Sequence, residues 1–167
     1  MEIYHGKRLS VETRPFRLPD GREREKVVVH PGGAVAVLPV EGDACYLVRQ
    51  YRFAIDETIL EAPAGTIDPG ETPEETVRRE LAEETGLEAG EFIPLGYVFT
   101  TPGFSDERLH LFIARDLSPS VGHTPDEDEI LEPVRVVLSR FLEMCADGRI
   151  SDAKTICLAF RYGSGLH

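Results

Sequence analysis

The stretch from Gly65 to Leu87 constrains this chain more than any other, because it spells a loop, a helix with both ends marked, and a crowd of acids on the helix. Residues 63–70, rich in Pro and Gly, read as a loop. Thr72 then stands as N-cap, Pro73 at the first helical position and Glu75 three residues after the Thr, the pattern of a capping box. Gly86 after Thr85 supplies the glycine that commonly follows a helix C-terminus. Val77, Leu81 and Thr85 form the expected buried stripe. Glu74 with Arg78 and Glu75 with Arg79 are favourable i,i+4 pairs, but Glu80, Glu83 and Glu84 crowd one face of the last turns. Like charges at that spacing repel, and acids at a helix C-terminus oppose the macrodipole. A solvated acidic face is the ordinary account of such a run. The conflict is resolved if a hard divalent cation such as Mg²⁺, which takes carboxylate oxygens, phosphates and water, sits there.

Charge elsewhere sharpens the point. The 167 residues carry a formal net charge of −12. Residues 61–91 hold ten acids against two bases, and residues 124–132 hold five acids and no base, so the rest of the chain is close to neutral. An acidic protein of this kind is a poor partner for a nucleic-acid backbone or an anionic membrane. Cys45, Cys145 and Cys157 have no metal-ligand spacing and read as reduced thiols, which with the lack of an apolar leader predicts a cytoplasmic protein.

Around this segment the sequence predicts an α+β fold. Strands are expected at 8–18 and 25–30, joined by the turn Pro19-Asp20-Gly21, and at 34–40 and 44–48 as a hairpin near the sheet centre. Further strands are expected at 92–100, 109–114 and 134–138, and helices at 139–147 and 151–162. Short connections and an excess of strands suggest a mixed sheet flanked by helices. No nucleophile elbow and no GxGxxG fingerprint is present, and the five histidines are scattered as surface or junction residues.

Gly65, Glu71, Arg79-Glu80-Leu81, Glu83-Glu84, Gly86 and Leu87 match every defined position of G-x5-E-x7-R-E-U-x-E-E-x-G-U, where U is aliphatic. The chain thereby resembles the Nudix hydrolases, which hydrolyse a nucleoside diphosphate linked to another moiety. The resemblance implies a Nudix fold, an α/β/α sandwich with a mixed sheet, over residues 31–167. It also implies a small antiparallel subdomain at 1–30 that forms swapped homodimers and lines the partner's adenosine pocket. By the same resemblance Glu80, Glu84, Glu83 and the backbone carbonyl of Ala64 hold two to three Mg²⁺ or Mn²⁺ ions. Arg79 orients the glutamates through an ion pair with Glu71 or Glu75. The base that accepts the proton of the attacking water is Glu83, or Glu127 or Glu129 of the second acidic patch, with Glu127 ranked slightly ahead of Glu129.

Leu47-Val48-Arg49-Gln50-Tyr51-Arg52, Leu60-Glu61-Ala62-Pro63-Ala64-Gly65 and the stretch from Thr101-Pro102-Gly103 to Glu107 look like ADP-ribose pyrophosphatases. That likeness makes Pro102 the marker of ADP-ribose as substrate, gives Arg52 to the diphosphate or terminal ribose, and sets Glu61 and Arg49 beside the metal cleft. Many such enzymes carry a glutamate before the His-Pro at the subdomain junction, where this chain has Val29. The alternatives are hydrolysis of another nucleoside diphosphate sugar such as GDP-mannose, or a non-catalytic nucleotide-sensing module.

Overall fold

A computed structural model describes residues 1–120 and 131–165. Ten strands and three helices follow in these residues: β1 (Glu2–His5), β2 (Ser10–Arg17), β3 (Glu23–His30), β4 (Ala34–Glu41), β5 (Ala44–Arg52), β6 (Glu57–Glu61), β7 (Ala64–Thr66), α1 (Pro73–Thr85), β8 (Leu87–Phe99), β9 (Arg108–Pro119), β10 (Leu131–Val137), α2 (Leu138–Ala146) and α3 (Ala153–Gly163). The first three strands form a separate antiparallel sheet in chain order. The rest form a seven-stranded sheet in the order β10-β5-β4-β9-β8, with β6 added on β5 and β7 on β4. Among the described strands of this sheet only β4 and β9 run parallel, from Ala34 opposite Leu109 to Pro39 opposite Ala114, so the sheet is mixed as expected.

β4 is apolar on both faces because both faces are covered. Val35 and Val37 pack with Val77 and Leu81 of α1 and with Phe112, while Ala36, Leu38 and Val40 pack with Phe141 of α2 and Leu158 of α3. Helix α1 on one face and α2 with α3 on the other give the α/β/α sandwich. Cys45 is buried in the second of these layers, where desolvation pushes its thiol up to about 12 and makes it unreactive.

The hairpin expected at the sheet centre is only partly one. β4 and β5 pair at Val40 with Cys45 and Glu41 with Ala44, and then diverge. The opening between them is filled by β6, paired along residues 48–52 of β5, and by β7, paired along residues 34–36 of β4. β7 spans three residues inside what reads from sequence as loop, too short for any periodicity to register. The splay sets the β6–β7 link, Ala62 and Pro63, at the sheet centre, where the Val37 amide donates to the Pro63 carbonyl at 2.9 Å.

Helix α1 is built as its termini predict. The Thr72 hydroxyl accepts from the Glu75 amide at 3.2 Å, and the Glu75 carboxylate accepts from the Thr72 amide at 2.8 Å. Gly86 closes the helix with φ 68°, its amide donating to the Ala82 carbonyl. The buried face is broader than the apolar pattern suggests. Thr76, Ala82 and Glu84 join Val77 and Leu81 inside, while Thr85 is half-buried and donates its hydroxyl to the Leu81 carbonyl.

Candidate active site

A cleft of about 570 Å³ lies between the small sheet and the α1 face of the main sheet. One wall is Ala64 to Pro69 together with Arg79, Glu80, Glu83 and Glu84 of α1. The facing wall is the β1–β2 connection, with His5, Lys7 and Arg8, and the junction at His30 to Gly32; Arg52 also reaches the cleft. An acidic wall therefore faces a basic one.

Glu84 is 4% exposed although it is a carboxylate. Its Oε2 accepts from the Ala64 amide at 2.9 Å, which ties the last turn of α1 to the first residue of β7. Beside it, Gly65 gives Glu80 its space: a Cβ at residue 65 would fall 1.9 Å from the Glu80 carboxyl carbon. Glycine is required here for close approach rather than for a left-handed turn.

Arg79 organises the remaining acids. Its Nε and Nη2 donate to the two oxygens of Glu71 at 3.0 and 2.9 Å, and Nη1 donates to Glu80 at 2.7 Å and Glu83 at 3.1 Å. Nη2 also donates to the Thr66 carbonyl at 3.3 Å. The Arg79 guanidinium, helped by the Thr76 hydroxyl, lowers the Glu71 carboxyl to about 2. Of the two acids that the spacing offers to Arg79, Glu71 takes the ion pair and Glu75 serves the helix cap.

Carboxylates with a neighbouring backbone carbonyl are oxygen donors of the kind that Mg²⁺ and Mn²⁺ prefer. Among the described residues no three His, Cys, Asp or Glu side chains are gathered into a ready metal cage. The bonds explain this, because Arg79 binds Glu80 and Glu83 together and the Ala64 amide holds Glu84. Glu80, Glu83, Glu84 and Ala64 suit a cation whose coordination is completed by water and substrate phosphate rather than an all-protein cage.

The other residues expected at the site are dispersed differently. Glu61 is fully buried behind Arg52, which it binds side-on at 2.7 and 2.9 Å. Arg49 pairs with Glu132 across β5 and β10 at 2.8 Å and does not line the cleft. Pro102 lies in an exposed turn in which the Phe104 and Ser105 amides donate to the Thr101 carbonyl, and it is not among the residues that line the cleft. Glu127 and Glu129 lie outside the described residues.

Sequence reading missed Lys7 and Arg8, which belong to a connection without a motif, and Lys154, which reaches Glu61 from 93 residues away. It left His30 as a junction residue. In the fold His30 bonds Asp106 at 2.6 Å and Glu12 at 3.3 Å, joining the small sheet to the segment before β9.

Several known proteins are similar to this chain. The chain is 38% identical to the ADP-ribose pyrophosphatase of Bacillus subtilis, over 92% of this chain and 84% of that one. It is 35% identical to a methanol dehydrogenase activator of Bacillus methanolicus, over 96% and 88%. Against a GDP-mannose pyrophosphatase of Klebsiella pneumoniae it is 39% identical, over 72% and 65%. The crystal structure of an ADP compounds hydrolase superposes with a TM-score of 0.87 at 26% identity, over 99% of this chain and 90% of that one. Residues 30–157 match the NUDIX domain. That span contains the splayed β4–β5 pair, the capped helix and every acid on the cleft wall, and with these the chain belongs to the NUDIX family of hydrolases acting on diphosphate bonds.

Proposed function

We propose that this protein hydrolyses ADP-ribose to AMP and ribose 5-phosphate. The observation that carries the reading is the buried Glu84, held at the cleft wall beside Glu80 and Glu83 and facing the basic Lys7–Arg8 connection. Burying a carboxylate is costly unless a role or a partner compensates. The ADP-ribose pyrophosphatase relative, matched along 92% of this chain, supports the choice of substrate.

Glu80, Glu83, Glu84 and the Ala64 carbonyl would hold two to three Mg²⁺ or Mn²⁺ ions. Bound there, such ions would neutralise the diphosphate and acidify the attacking water. Arg79 keeps the glutamates in register from behind, and Arg52 donates to the diphosphate or the terminal ribose. Water attacks one phosphorus and its proton passes to a carboxylate, Glu83, Glu127 or Glu129. The bond from that phosphorus to the bridging oxygen breaks, and the second phosphate leaves with that oxygen. Glu61 supports the cleft from β6 through Arg52, Arg49 braces β5 against β10 through Glu132, and the Pro102 turn, joined to the small sheet through Val29 and Phe104, is assigned to the nucleoside end. Residues 1–30 act as the dimerisation and substrate-lining unit and 31–167 as the hydrolase domain, in a homodimer.

Purified protein with Mg²⁺ is expected to release AMP from ADP-ribose, and Glu84→Gln to lose at least about a hundredfold in kcat. Unaltered turnover in Glu84→Gln would overturn the metal assignment. GDP-mannose is the second reading, favoured by the GDP-mannose pyrophosphatase relative. Competition between the two nucleotide sugars decides between them.

A further inference from the structure

Behind the cleft lies a group of buried charges that the chemistry above does not use. Glu61 is fully buried at the end of β6, and two cations meet its carboxylate. Arg52 of β5 donates through Nε to Oε1 and through Nη2 to Oε2, and Lys154 of α3 also donates to Oε2. Lys154 is 14% exposed and also donates to Asp152 at 3.0 Å. Asp152 caps α3, accepting from the Thr155 amide at 3.0 Å and from the Thr155 hydroxyl. Thr155 in turn accepts from the Ala62 amide at 2.7 Å. Arg52, Glu61, Lys154 and Asp152 thus form a charge-balanced group closed onto the β6–β7 link.

We infer that Lys154 is a positioning residue for substrate binding: it fixes the Glu61 carboxylate, and Glu61 fixes the Arg52 guanidinium at the cleft wall.

The inference rests on the reading of Arg52 as a substrate contact. Of the four charged residues only Arg52 lines the cleft. Side-on pairing uses its Nε and one Nη, leaving Nη1 without a protein partner among the described residues and available to an anionic ligand. Desolvation alone would disfavour the charged Arg52, and Glu61, Glu84 and Asp152 outweigh it. A side-on pair keeps carboxylate and guanidinium in one plane but can turn as a unit, and a second cation on Oε2 anchors that unit. Removing Lys154 leaves Asp152 without this cation and Glu61 with Arg52 alone, in a region that water barely reaches. The Arg52–Glu61 pair, still joined through both oxygens, is then free to shift as a unit from its place at the cleft wall. The consequence falls on substrate binding rather than on the acids of α1, which are joined to other partners.

The test compares KM and kcat for ADP-ribose with Mg²⁺ in the full chain. Lys154→Met is expected to raise KM about tenfold with kcat within about threefold, and Lys154→Arg to restore part of the loss. In the Arg52→Met background, Lys154→Met is expected to add nothing further, since its effect passes through Arg52. If Lys154→Met does not fold, Lys154→Gln carries the same comparison. An unchanged KM in the Lys154 variant while Arg52→Met raises it overturns the inference alone, as does an equal KM increase in both backgrounds. An unchanged KM in Arg52→Met overturns the reading of Arg52 on which the inference rests.

Discussion

A guanidinium offers five N–H donors in a rigid planar fork, and Arg79 makes five hydrogen bonds with them. Lysine keeps the charge but has one flexible donor group and cannot hold Glu71, Glu80, Glu83 and Thr66 together. Arg79→Lys is therefore expected to lower kcat by about 10- to 100-fold, the range for residues that orient metal ligands, while the protein remains folded in circular dichroism. Gly65→Ala should be as damaging for another reason. Its Cβ would occupy the position of the Glu80 carboxylate, so divalent-metal affinity measured by calorimetry is expected to fall. Both residues were legible in the sequence because they stand at fixed offsets along one loop and one helix. Lys154 was not, because its partner Glu61 is brought to it only by the packing of α3 behind β6. No local pattern encodes a contact across 93 residues.

At the scale of elements, α1 was the most readable, since its boundaries are set by side chains that bond their own backbone. Thr72→Ala removes the acceptor for the Glu75 amide and is expected to cost about 1 kcal/mol in urea denaturation. The cap lies at the far end of the helix from Glu80 to Glu84, so kcat should change little. The central strands were readable from their continuous apolar runs, the mark of burial on both faces. The divergence of β4 from β5 was not, because pairing partners are chosen by the whole sheet and β7 is too short to show alternation. Glu84 shows the same limit within a helix. Its place in the motif makes it an expected ligand by resemblance, whereas its contact with β7 through the Ala64 amide is a product of the fold.

For the molecule as a whole, Asp68, Glu80, Glu83 and Glu84 stand on one wall of a cleft whose other wall belongs to a different sheet. The cleft therefore exists only while the small sheet stays docked. His30 is one clasp of that docking: it lies at the end of β3, bonds Asp106 from the segment before β9, and reaches Glu12 on β2. Its hydrogen bond to Asp106 raises its pKa above the ordinary 6.5, against a smaller opposing desolvation and with further help from Glu12. A group whose pKa is raised on folding contributes stability that is complete below the unfolded value and is lost as pH rises through the folded one. Docking of the small sheet should therefore weaken as pH climbs from 6.5 through the raised pKa of His30. The clasp is screened, since the Asp106 side chain is 56% exposed, so the effect should shrink as salt rises. Hydrogen exchange of the β2–β3 amides across this range is the measurement, with His30→Gln as the reference that removes the other titrating groups by difference. Faster exchange with rising pH in the wild type, beyond the intrinsic base-catalysed increase shown by His30→Gln, is the expected outcome. Parallel profiles in the two proteins would show that His30 does not hold the cleft closed.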